Sequence, residues 1–201
     1  MDKLEYSVVG ACREDAPFLA QTVMGALGEE LCIERAGGKS DLPKVYDLFM
    51  NLGQAENSQY SYRNALIAHT PDGTAIGAII FYDGALLHQL RRAFIRYANK
   101  ILGWTITEKE MEEWGDETGP DQIYIDSLFV VPQYRGRGVA STLFENVFEV
   151  GKSSGKPFGL LVEPSNAMAI RLYEKLGFKY NGVSNFFQTP MLMMQLAAQQ
   201  G

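Results

Sequence analysis

Two hydrophobic periods take turns along this chain. Strands are predicted near Glu5–Cys12, Ser61–His69, Ala75–Asp83, Gln122–Val131, Phe158–Glu163, Lys179–Phe187 and Met191–Leu196, and helices near Ala16–Leu27 and Leu42–Leu52. Pro71-Asp-Gly73 marks a tight hairpin between the second and third strands, and Thr189-Pro190 separates the last two. Beyond Gly138, the residues Val139, Ala140, Leu143, Phe144, Val147 and Phe148 recur at helical spacing, opposite Ser141, Thr142, Glu145, Asn146 and Glu149. Another helix starts at Ser165 or Asn166, either of which can cap it, and runs to about Leu176, with Gly177 fitting the left-handed C′ position. The stretch from Gly84 to Asp121 stands apart. It opens with Leu86, Leu87, Leu90, Phe94, Ile95, Tyr97, Ala98, Ile101 and Leu102 at roughly helical spacing. Arg91, Arg92, Arg96 and Lys100 occupy the other face. An acidic run follows, from Glu108 through Glu110, Glu112, Glu113 and Asp116 to Glu117, with Trp114 inside it.

Composition narrows the class of protein. With 201 residues, 46% hydrophobic and 21% charged, the chain is long enough to bury one real core and is expected to form one domain over residues 1–201, with an insert at about 84–121. The net charge of −6 argues against a general nucleic-acid or acidic-membrane binder. Two cysteines, Cys12 and Cys32, form neither a metal-ligand spacing nor a disulfide framework, and with only His69 and His88 beside them no metal site is expected. Both thiols are expected to be packing residues. The Met191-Leu-Met-Met194 cluster is likewise expected in a core. The N-terminus lacks the basic and apolar regions of a signal peptide and Asp83 interrupts the best apolar run, so a cytoplasmic protein without a membrane span is expected.

The chemistry concentrates where the strand ending at Val131 breaks. Pro132 cannot donate to a sheet ladder, so pairing stops there, and Pro-Gln-Tyr-Arg-Gly-Arg-Gly138 leads into the next helix. The first-turn N–H groups of a helix lack intrahelical partners and carry the positive end of its dipole. Gly136 and Gly138 let a ligand approach the backbone, and Arg135 and Arg137 add charge beside it. The loop therefore reads as a diphosphate cradle. A dinucleotide fingerprint would want Gly or Ala where Ser141 stands and an acid at the end of the next strand, where Glu163 is only an approximate match, and too little chain follows to complete a nicotinamide-binding half.

A second segment supplies a different owner for the cradle. Asn166, Ile170 and Tyr173 lie at i, i+4 and i+7 on one helical face, so an amide and a phenol line one groove. Leu128-Phe-Val-Val-Pro-Gln-Tyr-Arg-Gly-Arg-Gly-Val-Ala140 and Asn166-Ala-Met-Ala-Ile-Arg-Leu-Tyr-Glu-Lys-Leu-Gly-Phe178, at their separation, resemble the GNAT family of N-acetyltransferases. Arg13-Glu-Asp-Ala-Pro-Phe-Leu is a weaker echo of the family's first strand-to-helix junction, with Asp15 placed to cap and Pro17 tolerated in the first turn. The resemblance is strong from Tyr124 to Phe178 and absent from Gly84 to about Asp121.

That resemblance implies an α/β fold with a mixed, mostly antiparallel central sheet, a splayed pair of parallel strands and flanking helices. It implies acetyl-CoA as cosubstrate, no metal, and acetyl transfer to a primary amine by direct attack on the thioester. Backbone amides of Arg137, Gly138, Val139 and Ala140 would then hold the pyrophosphate, with Gly136 and Gly138 allowing close contact, Ser141 also in the cofactor site, and Arg135 or Arg137 on that group or the 3′-phosphate. The backbone of Phe129, Val130 and Val131 would pair with pantetheine, and Val130 would polarise the thioester carbonyl. Asn166 would bond the cofactor arm, and Tyr173 would protonate the departing thiolate. Asp126, read as sharing a strand face with Tyr124 and Leu128, is the candidate base, with Glu117 and Asp116 as runners-up and Tyr124 as a pocket-shaping residue. The insert forms either one wall of the acceptor site or a homodimer contact, and its acidic run either favours a cationic acceptor or is a solvated face. The alternative from another class is a non-catalytic acyl-CoA-binding module.

Overall fold

A computed structural model describes residues 4–186 and 189–198. One sheet of seven strands runs through it, in the order β1 (Ser7–Gly10), β2 (Ala65–His69), β3 (Ala75–Asp83), β4 (Ile123–Val130), β5 (Phe158–Val162), β7 (Thr189–Leu196) and β6 (Lys179–Phe186). Every neighbouring pair is antiparallel except β4 and β5. Helices α1 (Ala16–Leu27), α3 (Leu42–Gln54) and α4 (Leu87–Leu102) bury their stripes in one core that includes Ile67, Ala78 and Ile80 of the sheet. Helices α6 (Val139–Gly151) and α7 (Ala167–Lys175) pack against the core built on Ile79, Ile123, Ile125 and Leu160. Alternation along the strands decides which residue feeds which core.

Several elements depart from the periodicity reading. The first strand contracts to Ser7–Gly10, and residues 61–64 form a cap and a short turn before β2, with Ser61 accepting from the Arg63 N–H. Helix α2 (Glu29–Ala36) is unheralded because its apolar residues, Leu31 to Ile33, are contiguous rather than spaced and only Cys32 is buried. Helix α5 (Glu108–Glu112) lies inside the acidic run, held by a capping box between Thr107 and Glu110. Thr189 and Pro190 belong to β7 rather than separating two strands. Pairing with β5 begins only at Leu192, so Pro190 sits where β7 has one neighbour, the position at which a missing N–H is tolerated. Phe187 lies outside the described residues.

Asp15 holds the N-cap position of α1, yet its carboxylate accepts from the Cys12 N–H at 2.8 Å rather than capping that helix. Cys12 is exposed, contrary to the packing role expected of it, whereas Cys32 is buried. Arg91 is not on a solvated face. It is 3% exposed, and its guanidinium donates to the Gly115 carbonyl at 2.9 Å and to Glu117.

Candidate active site

The strands β4 and β5 pair only from Ile123 to Ile125, against Phe158 to Leu160. Past that point the β5-facing edge of β4 is open. On its other edge β4 stays paired with β3 as far as Gly77 and Val130, and the Val131 N–H continues the ladder to the Ile76 carbonyl at 3.0 Å. Peptide groups of alternate residues point to opposite edges of a strand. The Val131 N–H is therefore engaged on the β3 side, as are the peptide groups of Phe129, and the groups of Leu128 and Val130 face the opening. This narrows the set expected to meet a pantetheine arm from Phe129, Val130 and Val131 to Val130. The Val130 carbonyl already accepts from Arg135 Nε at 2.9 Å, while its N–H faces the gap.

A bulge re-aims the strand at the mouth of this gap. Phe81 pairs with Ile125 and Ile80 with Ser127, so Asp126 is the extra residue. The bulge parts Leu128 from the face expected to carry Tyr124, Asp126 and Leu128, while Tyr124 and Asp126 both meet Tyr82. Tyr124 packs with Tyr82 and Leu90, and Leu128 packs against the α6 core.

Asp126 is held in a buried polar network. Its carboxylate accepts from the Ser127 hydroxyl at 2.8 Å and from the Tyr82 phenol at 3.4 Å. The same phenol lies 3.3 Å from Glu117 Oε1 and accepts from Gln59 Nε2 at 3.0 Å, and Gln59 also donates to Glu117 at 2.8 Å. One phenolic proton thus faces two carboxylates. Arg91 lies against Glu117. Burial, reinforced by the Glu117 charge, raises the Asp126 pKa to about 7 despite the opposing Ser127 and Tyr82 hydrogen bonds and Arg91. Burial together with the Asp126 and Glu117 charges also pushes the Tyr60, Tyr82 and Tyr124 phenols well above their ordinary value, which keeps them as neutral donors.

Helix α7 carries Tyr173. Its ring packs edge-on against Phe144 at 5.7 Å and against Phe178 at 6.0 Å. Leu-Gly-Phe fixes that ring, because Gly177 adopts φ 95° and the helix closes with Phe178 N–H on the Tyr173 carbonyl and Gly177 N–H on the Glu174 carbonyl. These are the two bonds of a Schellman motif, with the hydrophobic contact between its outer residues supplied by Phe178 and Tyr173. The phenol has no hydrogen-bond partner among the described residues, and burial raises its pKa to about 12. It lies close enough to Tyr124 for its charge to be felt there. Asn166 caps α7, its carbonyl oxygen accepting from the Ala169 N–H at 3.1 Å, which leaves the exposed amide donor free to point outward.

The cradle lies between β4 and α6 along the chain. The first intrahelical bond of α6 runs from Thr142 N–H to the Gly138 carbonyl at 3.0 Å, so the N–H groups of Val139, Ala140 and Ser141 have no helical partner. Gly136 and Gly138 adopt φ 71° and 87°. A Cβ at Gly136 would meet nothing within 4 Å, and one at Gly138 only the Tyr6 hydroxyl at 3.9 Å. Arg135 and Arg137 are both exposed beside it. Open space, unpartnered donors and flanking cations fit a diphosphate and the arm that trails from it.

Sequence reasoning missed a second cavity. A cleft partly open to solvent lies between α1 to α3 and the segment from α4 to Glu117. Leu48, Phe49, Phe94, Trp104 and Trp114 form apolar walls, and Gln59, Arg91 and Glu117 close its polar end. Trp104, Gln59 and Tyr60 lie in stretches without clear periodicity, which is why the sequence did not single them out. Among the described residues no His, Cys, Asp and Glu groups cluster as a metal site, and no helix is long and apolar enough to cross a membrane.

Comparison with known proteins agrees with this architecture. The spermine/spermidine N(1)-acetyltransferase of Bacillus subtilis (strain 168) is 23% identical over 118 residues, 57% of this chain and 76% of that protein. Thialysine N-epsilon-acetyltransferase of Mus musculus is 38% identical over 56 residues, 27% of this chain and 33% of that protein. The crystal structure of an N-acetyltransferase from Staphylococcus aureus Mu50 superposes with a TM-score of 0.75 at 20% identity, covering 94% of this chain and all of that one. The model of the acetyltransferase (GNAT) family matches residues 45–178, more than half the chain and the stretch that contains the open strand pair, the cradle and α7. This chain belongs to the GNAT family.

Proposed function

We propose that this protein transfers an acetyl group from acetyl-CoA to a primary amine of a small molecule or peptide by direct attack on the thioester. One observation carries the reading. The strands β4 and β5 part after Ile125, the open edge of β4 carries the Val130 N–H a few residues beyond the bulge at Asp126, whose pKa is about 7, and Tyr173 lies near enough to Tyr124 to interact with it electrostatically.

Bound acetyl-CoA supplies the acyl carbon that the amine attacks and the sulfur that leaves. The α6 N-terminus and Gly136 and Gly138 bind its diphosphate, Arg137 lies nearby, and the Asn166 amide steadies the arm. The Val130 N–H donates to the carbonyl oxygen, where negative charge grows. Asp126 takes the proton of the ammonium, directly or through one water, and its pKa near the working pH suits a base that must also release that proton. Tyr173 stays protonated through the neutral range and holds the proton that the departing sulfur receives. The chain works as one domain in this reading, with residues 84–121 an insert in the family core.

The test is release of free thiol from acetyl-CoA in the presence of primary amines, alongside thermal shifts with CoA. Amine-dependent thiol release is the expected outcome. A CoA shift with no amine-dependent release across aliphatic amines, aromatic amines, polyamines and lysine peptides would instead favour a binding module.

A further inference from the structure

The cleft between α1 to α3 and the segment from α4 to Glu117 shares no lining residue with β4, the cradle or α7. We infer that it is a separate binding site for an aromatic molecule carrying one carboxylate. The inference goes beyond acetyl transfer and does not depend on it.

The walls set the body of the ligand. Phe49, Tyr60, Phe94, Trp104 and Trp114 line the cleft. They form a continuous series of edge-to-face contacts, Phe49 to Tyr60 at 5.1 Å, Tyr60 to Phe94 at 6.3 Å, and Phe94 to Trp104 at 6.1 Å and to Trp114 at 6.4 Å. Phe49, Tyr60 and Phe94 are buried, whereas both tryptophans stay half-buried in a cleft that is partly open. Aryl surface is thus left for an apolar guest to cover, and a ring among rings gains the edge and face contacts that aromatic pairs favour.

Charge sets the head of the ligand. Three charged side chains line the cleft, Arg35, Arg91 and Glu117, and they sum to one positive charge. Arg91 and Glu117 are bound to each other, with side chains at 4% and 10% exposure, and offset one another. Asp116 also approaches Arg91, at 3.6 Å, but it is 45% exposed, lies outside the lining and is screened by solvent. The surplus cation is Arg35. It lies one turn beyond Leu31 on the same face of α2, both residues line the cleft, and Arg35 Nε is buried. A guanidinium presents paired donors that match a carboxylate in one plane, and beside apolar walls its charge disfavours an ammonium.

The experiment uses 3-phenylpropanoate as the probe in calorimetric titrations of the full chain. Three comparison probes separate body from head: 3-phenylpropanamide keeps the ring without charge, 3-phenylpropylamine reverses the charge, and propanoate keeps the charge without the ring. Each titration is repeated with saturating CoA and with Arg35→Gln, whose melting temperature is checked against the wild type. Both tryptophans of the chain line the cleft, so indole emission locates the bound probe.

The expected result is one saturable site with a change in indole emission. Affinity for 3-phenylpropanoate should exceed that for each comparison probe by about tenfold or more, the scale of a hydrogen bond to a charged group. In Arg35→Gln the acid and the amide should bind within about threefold of each other, with affinity for the amide retained. CoA should leave binding unchanged. Amide or amine bound as tightly as the acid would overturn the inference, as would the absence of saturable binding or a preference for the acid that survives Arg35→Gln. Displacement of the acid by CoA would place it at the cradle and overturn it too. Should Arg35→Gln fail to fold, the four probes on the wild type decide alone. None of these readouts involves turnover, so acetyl transfer stands or falls separately.

Discussion

A carboxyl group that titrates near neutrality inside a protein carries a stability penalty, and at Asp126 the penalty comes first from burial. Its folded pKa of about 7 lies above the ordinary 3.8, so the folded state binds the proton more tightly. Stability contributed by this group is therefore complete below about pH 4 and is lost as pH rises toward 7. Asp126→Asn removes a charge that the fold disfavours, so its melting temperature at pH 8 should exceed that of the wild type, with the two converging near pH 5. Its kcat/KM should fall by about 10²–10⁴. A wild-type pH profile of kcat/KM should rise through about 7, and a profile flat from pH 6 to 8 would remove Asp126 as the base. Tyr173→Phe keeps the ring packed on Phe144 and Phe178 and deletes only the hydroxyl. Turnover should drop on the same scale while the CoA thermal shift survives, and loss of both would assign the residue to packing. Tyr173 and Asn166 were legible from helical spacing. Asp126 was legible as a residue but not as an environment, because neither the bulge beneath it nor Tyr82 beside it leaves a mark in a local period.

Among the elements, the N-terminus of α6 carries the clearest commitment. Gly138 adopts φ 87°, where an L side chain costs about 1–2 kcal/mol and a β-branched one is worst placed, yet a Cβ there meets nothing nearer than the Tyr6 hydroxyl at 3.9 Å. Gly138→Val should thus fold with a modestly lower melting temperature and lose the stabilisation by CoA, since its methyls occupy the space left for a diphosphate. An undiminished CoA shift in that variant would place the cofactor elsewhere. The same contrast explains which elements the sequence disclosed. Strands with alternating burial and helices such as α3 and α6, with one apolar stripe, declared themselves, as did the Gly177 terminus of α7. Helix α2 did not, because a short helix with one buried residue has no stripe to read. Thr189-Pro190 misled because a proline excludes a residue from a paired interior, and only the sheet order reveals that this end of β7 has a single neighbour.

Across the whole molecule, one charged contact ties the segment between β3 and β4 to the proposed base, Asp126. Sequence showed that segment's charge changing sign and left its meaning open between a solvated face and a cation-binding wall. Folding brings Arg91 against Glu117, twenty-six residues away along the chain, and buries both side chains, at 4% and 10% exposure. No periodicity within either stretch records such a pairing. Because Glu117 raises the Asp126 pKa through its charge while Arg91 lowers it, Glu117→Gln acts on two properties at once. It leaves a buried guanidinium with only the half-exposed Asp116 as counter-charge, and loss of one member of a buried pair costs about 3–5 kcal/mol, less here to the extent that Asp116 compensates. Thermal unfolding should therefore occur well below the wild-type temperature. The variant also withdraws a negative charge from Asp126, so the rising limb of the kcat/KM profile should move to lower pH. Destabilisation alone would lower activity at every pH and leave the limb in place. Thermal melts and pH profiles measured on the same variant separate the two, and a limb that stays at the wild-type position would show that the segment stabilises the fold without tuning its chemistry.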